Sequence, residues 1–191
     1  MIARAVTVLV LAAWFAFAAI FLLRKKPAGV TEVKRASVAR LGIVLQGIAF
    51  GLVWGFGRRH WWPLTASTVG ELALAIVAVA LAWGSCWWCL RSVQTLGKQW
   101  TVQARLIHEH ELITTGPFGI VRNPIYLGMF GMLLATGLAF SRWWALLCAI
   151  VVFLVGNQIR IRAEERLLRE AFGPKFEDYA RRVPAFLPRR L

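Results

Sequence analysis

The stretch Trp143–Ala171, WWALLCAIVVFLVGNQIRIRAEERLLREA, is apolar as far as Gly156 and then becomes charged with no helix breaker between the halves. A single helix that starts inside a bilayer and runs out of it accounts for both halves. On the outer half, Asn157, Arg160 and Glu164 fall at i, i+3 and i+7, within one helical face. Two readings of that face stay open. One is a surface ion pair between Arg160 and Glu164, worth a few tenths of a kcal/mol. The other is a cation at the membrane boundary for an anionic headgroup, beside a carboxylate for a cationic cofactor group.

Reading toward the N-terminus, Pro124–Phe140 is a short apolar span with Gly128 and Gly131 available for close packing, and Ser141-Arg142 turns the chain. Arms of about seventeen residues predict a tight helical hairpin. Before it lies a polar, turn-rich segment, His108–Gly128, HEHELITTGPFGIVRNPIYLG. It breaks at Gly116-Pro117, and Pro124 suits the first turn of the next helix, where a missing N–H does no harm. His110, Glu111 and the backbone of Leu112 and Ile113 precede the break. Asn123, Pro124, Ile125 and Tyr126 stand where the new helix has unbonded N–H groups. Phe118 and Tyr126 offer ring faces for an adenine or a sulfonium. The i, i+2 spacing of His108 and His110 favours neither one helical face nor a zinc pattern, so no metal is expected.

The first hundred residues read as three further spans: Ala5–Leu23, about Val38–Phe56, and about Val69–Leu90, with helical spacing continuing to Val102. The first is longer than a signal-peptide core and ends on Arg24-Lys25-Lys26, so a retained anchor is expected. Gly47, Gly51 and Gly55 are four apart on the second span, a spacing that lets a neighbouring backbone approach. Cys86 and Cys89 have redox spacing, but no second Cys or His pair lies nearby, and they read as small buried hydrophobes.

Composition agrees with this reading. The 191 residues are 59% hydrophobic, with mean hydropathy +0.61, against about 45–50% apolar in soluble chains. The net charge of +14 would point to nucleic acid in a soluble protein. Here the basic residues flank apolar spans and read as topology and headgroup contact. Of the 23 Lys and Arg, nineteen fall on the side of the first loop, the long loop and the tail, against four on the other. The positive-inside bias predicts an outside N-terminus and a cytoplasmic C-terminus. The expected fold is an all-α integral membrane protein of one domain, residues 1–191, with about five transmembrane helices and a cytoplasmic cofactor pocket. Residues 1–100 supply three spans, and 101–191 supply the loop, the hairpin and the C-terminal segment.

HELITTGPFGIVRNPIYLG, followed by RIRAEERLLREAFGPKFEDYARRVPAFLP, resembles the isoprenylcysteine carboxyl methyltransferase family of integral membrane enzymes. The wider superfamily includes phospholipid N-methyltransferases. The resemblance covers about residues 103–188, with both blocks in the family's order. It implies S-adenosylmethionine as methyl donor and a lipophilic acceptor entering from the bilayer. Carried over by position, it implies that Gln103, His110, Glu111, Leu112, Ile113, Phe118, Asn123, Pro124, Ile125, Tyr126 and Glu164 hold the donor. It also implies that Arg160, with Asn157 beside it, contacts the acceptor, which leaves Arg160 and Glu164 as the catalytic pair. The chain has Arg122-Asn123-Pro124 where the family usually has Arg-His-Pro, and Phe118 where it usually has tyrosine. The expected reaction is carboxyl O-methylation of an isoprenoid- or lipid-like carboxylate. The alternatives are N-methylation of a phospholipid amine, or a sterol-type reduction on the same scaffold.

Overall fold

The structure, a computed structural model, describes residues 2–23, 32–35, 38–57, 68–97, 105–107 and 112–188. Five apolar helices form its body: α1 (Ile2–Leu22), α2 (Ala39–Gly55), α3 (Thr68–Leu96), α4 (Pro124–Phe140) and α5 (Trp143–Phe172). A short amphipathic helix, α6 (Pro174–Arg182), follows. Three of these, α1, α3 and α5, are long and apolar enough to cross a membrane, whereas α2 and α4 have 17 residues each. At 1.5 Å per residue, the two shorter helices reach about 25 Å, slightly less than a hydrocarbon core of about 30 Å. The 30 residues of α5 run to about 45 Å, so its last turns extend beyond that layer.

The packing pattern is the inverse of a soluble core. The buried stripe of α3 is Ala75, Ala78, Ala82, Ser85, Cys86 and Cys89, while Leu72, Ile76, Val77, Trp83 and Trp87 face outward. Small residues inside let helix backbones come together, and large apolar side chains outside suit lipid. Together with the three long apolar helices, this makes the chain an integral membrane protein. Central to the body is α4, buried at nine positions from Pro124 to Ala139. One face packs with α1 and α3 around Val10, Ala13, Met132 and Ala135; the other packs with α2 and α5 around Val53, Leu133, Ala149 and Phe153. Cys86 and Cys89 are buried free thiols whose sulfurs donate to the carbonyls of Ala13 and Ile125.

Several sequence expectations need correction. The hairpin α4–α5 turns at Ser141-Arg142 as expected, yet α5 packs mainly along α2, and α4 along α3. Gly47, Gly51 and Gly55 are exposed and have open space before them, so that face packs on nothing among the described residues. The close approach occurs one turn earlier: a Cβ on Gly42 would collide with Arg160 and the Gly156 carbonyl, and one on Gly156 would lie 2.9 Å from the Gly42 carbonyl. Gly128 and Gly131 are used as expected, against Cys89 and Ser85. The described α3 runs to Leu96, followed by Gly97 with φ +55; the expected continuation to Val102 lies outside the described residues. Gly173, φ +49, stops α5, but Pro174 then begins α6, in the same role that Pro124 has at the start of α4.

The fold is not wholly helical. Glu32–Arg35 (β1) pairs antiparallel with Arg105–Ile107 (β2), tying the loop after α1 to the loop after α3. Neither strand carries an apolar alternation, so nothing in the local sequence announces the pairing.

Gly42→Ala and Gly156→Ala should each destabilise the helical body, by about 1–3 kcal/mol if overpacking behaves as in other cores. Gly51→Ala should be neutral or slightly stabilising. Thermal unfolding in a fixed detergent checks the contrast; equal effects at all three positions would contradict the α2–α5 contact.

Candidate functional site

Three helices meet at Arg160. About 26 Å along α5 from Trp143, at the edge of a hydrocarbon layer, its side chain turns inward and is 6% exposed. An arginine stays charged at any accessible pH, so burial is tolerable only with compensating partners. Gln46 of α2 supplies one: its Oε1 accepts a hydrogen bond from Arg160 Nη1 at 2.9 Å. Tyr126 of α4 supplies a second, with the guanidinium carbon 4.6 Å from the ring centroid. A desolvated cation–π contact contributes about 2 kcal/mol, and a hydrogen bond to a charged group about 1.5–3 kcal/mol. Glu164, one turn along α5, brings Oε1 to 3.7 Å from Arg160 Nη2. That exceeds the 2.7–2.9 Å or so of a charge-assisted hydrogen bond, and the same oxygen accepts the Tyr126 hydroxyl. The ion pair is therefore loose. Its carboxylate is shared with Tyr126 and is one quarter exposed.

Asn157 lies one turn before Arg160 and is 2% exposed. Its Oδ1 is buried without a hydrogen-bond partner among the described residues, and so is Gln46 Nε2. Buried amides are normally satisfied, so an orphan donor and an orphan acceptor mark this spot as unusual.

A second polar cluster fastens the C-terminal segment. Arg122 pairs with Glu165, Nε at 2.8 Å and Nη2 at 2.7 Å from Oε1, with both side chains 12% exposed. Its Nη1 donates to the carbonyls of Ala180 and Val183. The backbone joins in: Arg122 N–H bonds the Pro184 carbonyl at 2.8 Å, and Asn123 N–H bonds that of Ala185 at 3.1 Å. The Asn123 side chain donates to the same Ala185 oxygen at 2.9 Å. Tyr179 of α6 donates its hydroxyl to the Phe118 carbonyl at 2.6 Å. Burial pushes the Tyr179 phenol up to about 12, with Arg122 partly opposing, so it remains a neutral donor through the physiological range.

The expected site residues thus divide. Tyr126, Arg160 and Glu164 touch one another, and Asn157 lies beside Arg160 on α5. Asn123 and Phe118 contact the C-terminal segment, the first through its amide and the second through its carbonyl. The carbonyls of Pro124 and Ile125 accept from Trp88 Nε1 and Cys89 Sγ. Leu112 and Ile113 are half-buried in the extended segment before the 3₁₀ turn Gly116–Gly119. Gln103, His108, His110 and Glu111 lie outside the described residues. Sequence reasoning missed Gln46, Glu165 and Tyr179. Only Gln46 carried a signal, as an uncharged polar residue inside an apolar span.

Comparison with known proteins follows the same segments. Residues 73–175, from α3 into α6, match the phospholipid methyltransferase family. The chain is 31% identical over 154 residues to the nickel-cobalt-cadmium resistance protein NccN of Alcaligenes xylosoxydans xylosoxydans, covering 78% of this chain and 65% of that one. It is 33% identical over 139 residues to the cobalt-zinc-cadmium resistance protein CzcN of Cupriavidus metallidurans, covering 70% and 56%. It is 27% identical over 161 residues to protein-S-isoprenylcysteine O-methyltransferase B of Arabidopsis thaliana, covering 81% and 74%. The chain therefore spans less than two thirds of the length of the two resistance proteins. Among the described residues, no three His, Cys, Asp or Glu side chains come together as a metal group.

Arg122→Ala strands Glu165 and removes two side-chain contacts to carbonyls at once, a loss of about 3–5 kcal/mol for a broken buried pair. The variant should expose Arg181 and Arg182 to trypsin much faster than the parent. Unchanged cleavage kinetics would mean that the C-terminal segment is held elsewhere.

Proposed function

This chain belongs to the phospholipid methyltransferase family, and from that premise we propose that it transfers a methyl group from S-adenosylmethionine to a lipophilic carboxylate at the cytoplasmic membrane surface. The observation that carries the reading is the buried Arg160, loosely paired with Glu164 where α5 leaves the apolar layer. The named similarity to an isoprenylcysteine O-methyltransferase supports a carboxyl acceptor with an isoprenoid tail.

The residues suit this donor. The Glu164 carboxylate and the Tyr126 ring are an anion and a π-face, the groups that favour a sulfonium or bond ribose hydroxyls. Gln103, His110, Glu111, Leu112, Ile113, Phe118, Asn123, Pro124 and Ile125 complete the proposed donor contacts. S-adenosylmethionine supplies an electrophilic methyl group on sulfur. A carboxylate acceptor is already ionised at neutral pH, so no side chain has to remove a proton. Arg160 receives the carboxylate and directs one oxygen at the methyl; the C–O bond forms as the C–S bond breaks. Asn157 lies beside it on the acceptor side. The chain's contribution is orientation and removal of water. The excess of basic residues on the loops and tail supports a cytoplasmic site and an outside N-terminus. Five membrane crossings, with α2 and α4 as short spans, fit the helix lengths.

The test is the purified chain in nanodiscs with methyl-labelled donor, a prenylated N-acetylcysteine and a total lipid extract. Expected is base-labile label, released as methanol. Base-stable label on phospholipid would replace the acceptor with an amine, and absence of donor binding would overturn the reading. Arg160→Ala should lower kcat/KM for the acceptor by more than about 100-fold, in line with the cost of losing one partner of a buried charge contact. Donor affinity should change little, and near-normal turnover would remove Arg160 from its assigned role.

A further inference from the structure

We infer that Gln46 is a positioning residue for the acceptor, holding the Arg160 guanidinium from α2 and presenting its own amide N–H beside it, so that the acceptor anion docks on donors from two helices. The inference rests on the methyl-transfer reading above and adds to it a residue from the N-terminal half, outside the residues matched to the family.

The orientation of the Gln46 amide follows from its neighbour. Arginine has donors and no acceptor, so the Gln46 oxygen must face it, as it does at 2.9 Å. The amide nitrogen is then turned away from Nη1, buried and without a hydrogen-bond partner among the described residues. The amide is planar and its oxygen is pinned to Nη1, which fixes the direction of Nε2 as well. A side chain needed only to brace Arg160 would gain nothing from an orphaned N–H in an apolar helix. A ligand anion gives that N–H its acceptor. Asn157 Oδ1, a second buried orphan, lies one turn from Arg160 on the facing helix.

The backbone shows why a side chain this short can reach. Gly42, one turn before Gln46, lies against Gly156, and the Gln46 backbone nitrogen comes within 3.3 Å of where a Gly156 Cβ would stand. Gln46 itself is 2% exposed. The two glycines set the distance, and the glutamine uses it.

Gln46→Glu and Gln46→Met together test the docking role. Gln46→Glu keeps an oxygen for Arg160, and strengthens that pair, but replaces the N–H donor with negative charge. With a prenylated N-acetylcysteine as the acceptor probe in nanodiscs, KM for the acceptor should rise at least tenfold, while the donor Kd stays within twofold. An unchanged or lower KM would overturn the inference; the added charge would repel the acceptor even from a residue that only braces Arg160, so the uncharged Gln46→Met is measured beside it. Gln46→Met keeps the length and adds no charge; it loses the N–H donor and leaves only a thioether, a weak acceptor, for Arg160. Its acceptor KM should rise with kcat falling less, and an unchanged KM overturns the inference equally. Absence of transfer by the unsubstituted chain overturns the methyl-transfer reading and this inference together. An active parent with an unaffected Gln46 variant overturns this inference alone.

Discussion

At the crossing of α2 and α5 the Gly42 and Gly156 backbones leave no room for a Cβ on either side, and the polar centre depends on that contact. Without it, Gln46 would fall short of Arg160, and a permanent cation would be buried between helices with poorer compensation. The same crossing explains why the hairpin partner of α5 is not its main neighbour. A helix pair built on two glycines comes closer than one built on the larger side chains of the α4–α5 seam, such as Phe130 and Phe153.

Around that crossing, α4 works as a shared wall. Its buried residues serve two separate apolar clusters, and its first turn carries Tyr126 against Arg160 and Glu164. The adjacent glutamates on α5 divide their work. Glu164 faces Tyr126 and Arg160, whereas Glu165 faces Arg122 and thereby helps hold residues 180–185. One carboxylate is loosely paired with Arg160, and the next fastens the C-terminal segment. The C-terminal segment is strapped to the loop before α4, and Phe186 reaches the ring of Phe130 on α4. The ends of the polypeptide's second half thus converge on the same polar layer.

The sequence by itself determined the apolar helices, the turn at Ser141-Arg142, the break at Gly116-Pro117 and the Asn157–Arg160–Glu164 face. Each rests on information a few residues apart: hydropathy runs, a Gly-Pro break, a helical period. Tertiary structure alone decided which glycines pack. Spacing cannot tell Gly42, set against Gly156, from Gly47, Gly51 and Gly55, which face open space, because the distinction lies in the rotation of α2 about its axis. It also decided that two short loop segments with no alternation, Glu32–Arg35 and Arg105–Ile107, pair as strands, since loops must first be brought together for that ladder to form. Above all, it decided that Gln46 and Arg160, 114 residues apart, share a hydrogen bond. The sequence marks each as a polar residue near a membrane, and only the close crossing of two helices makes them one site.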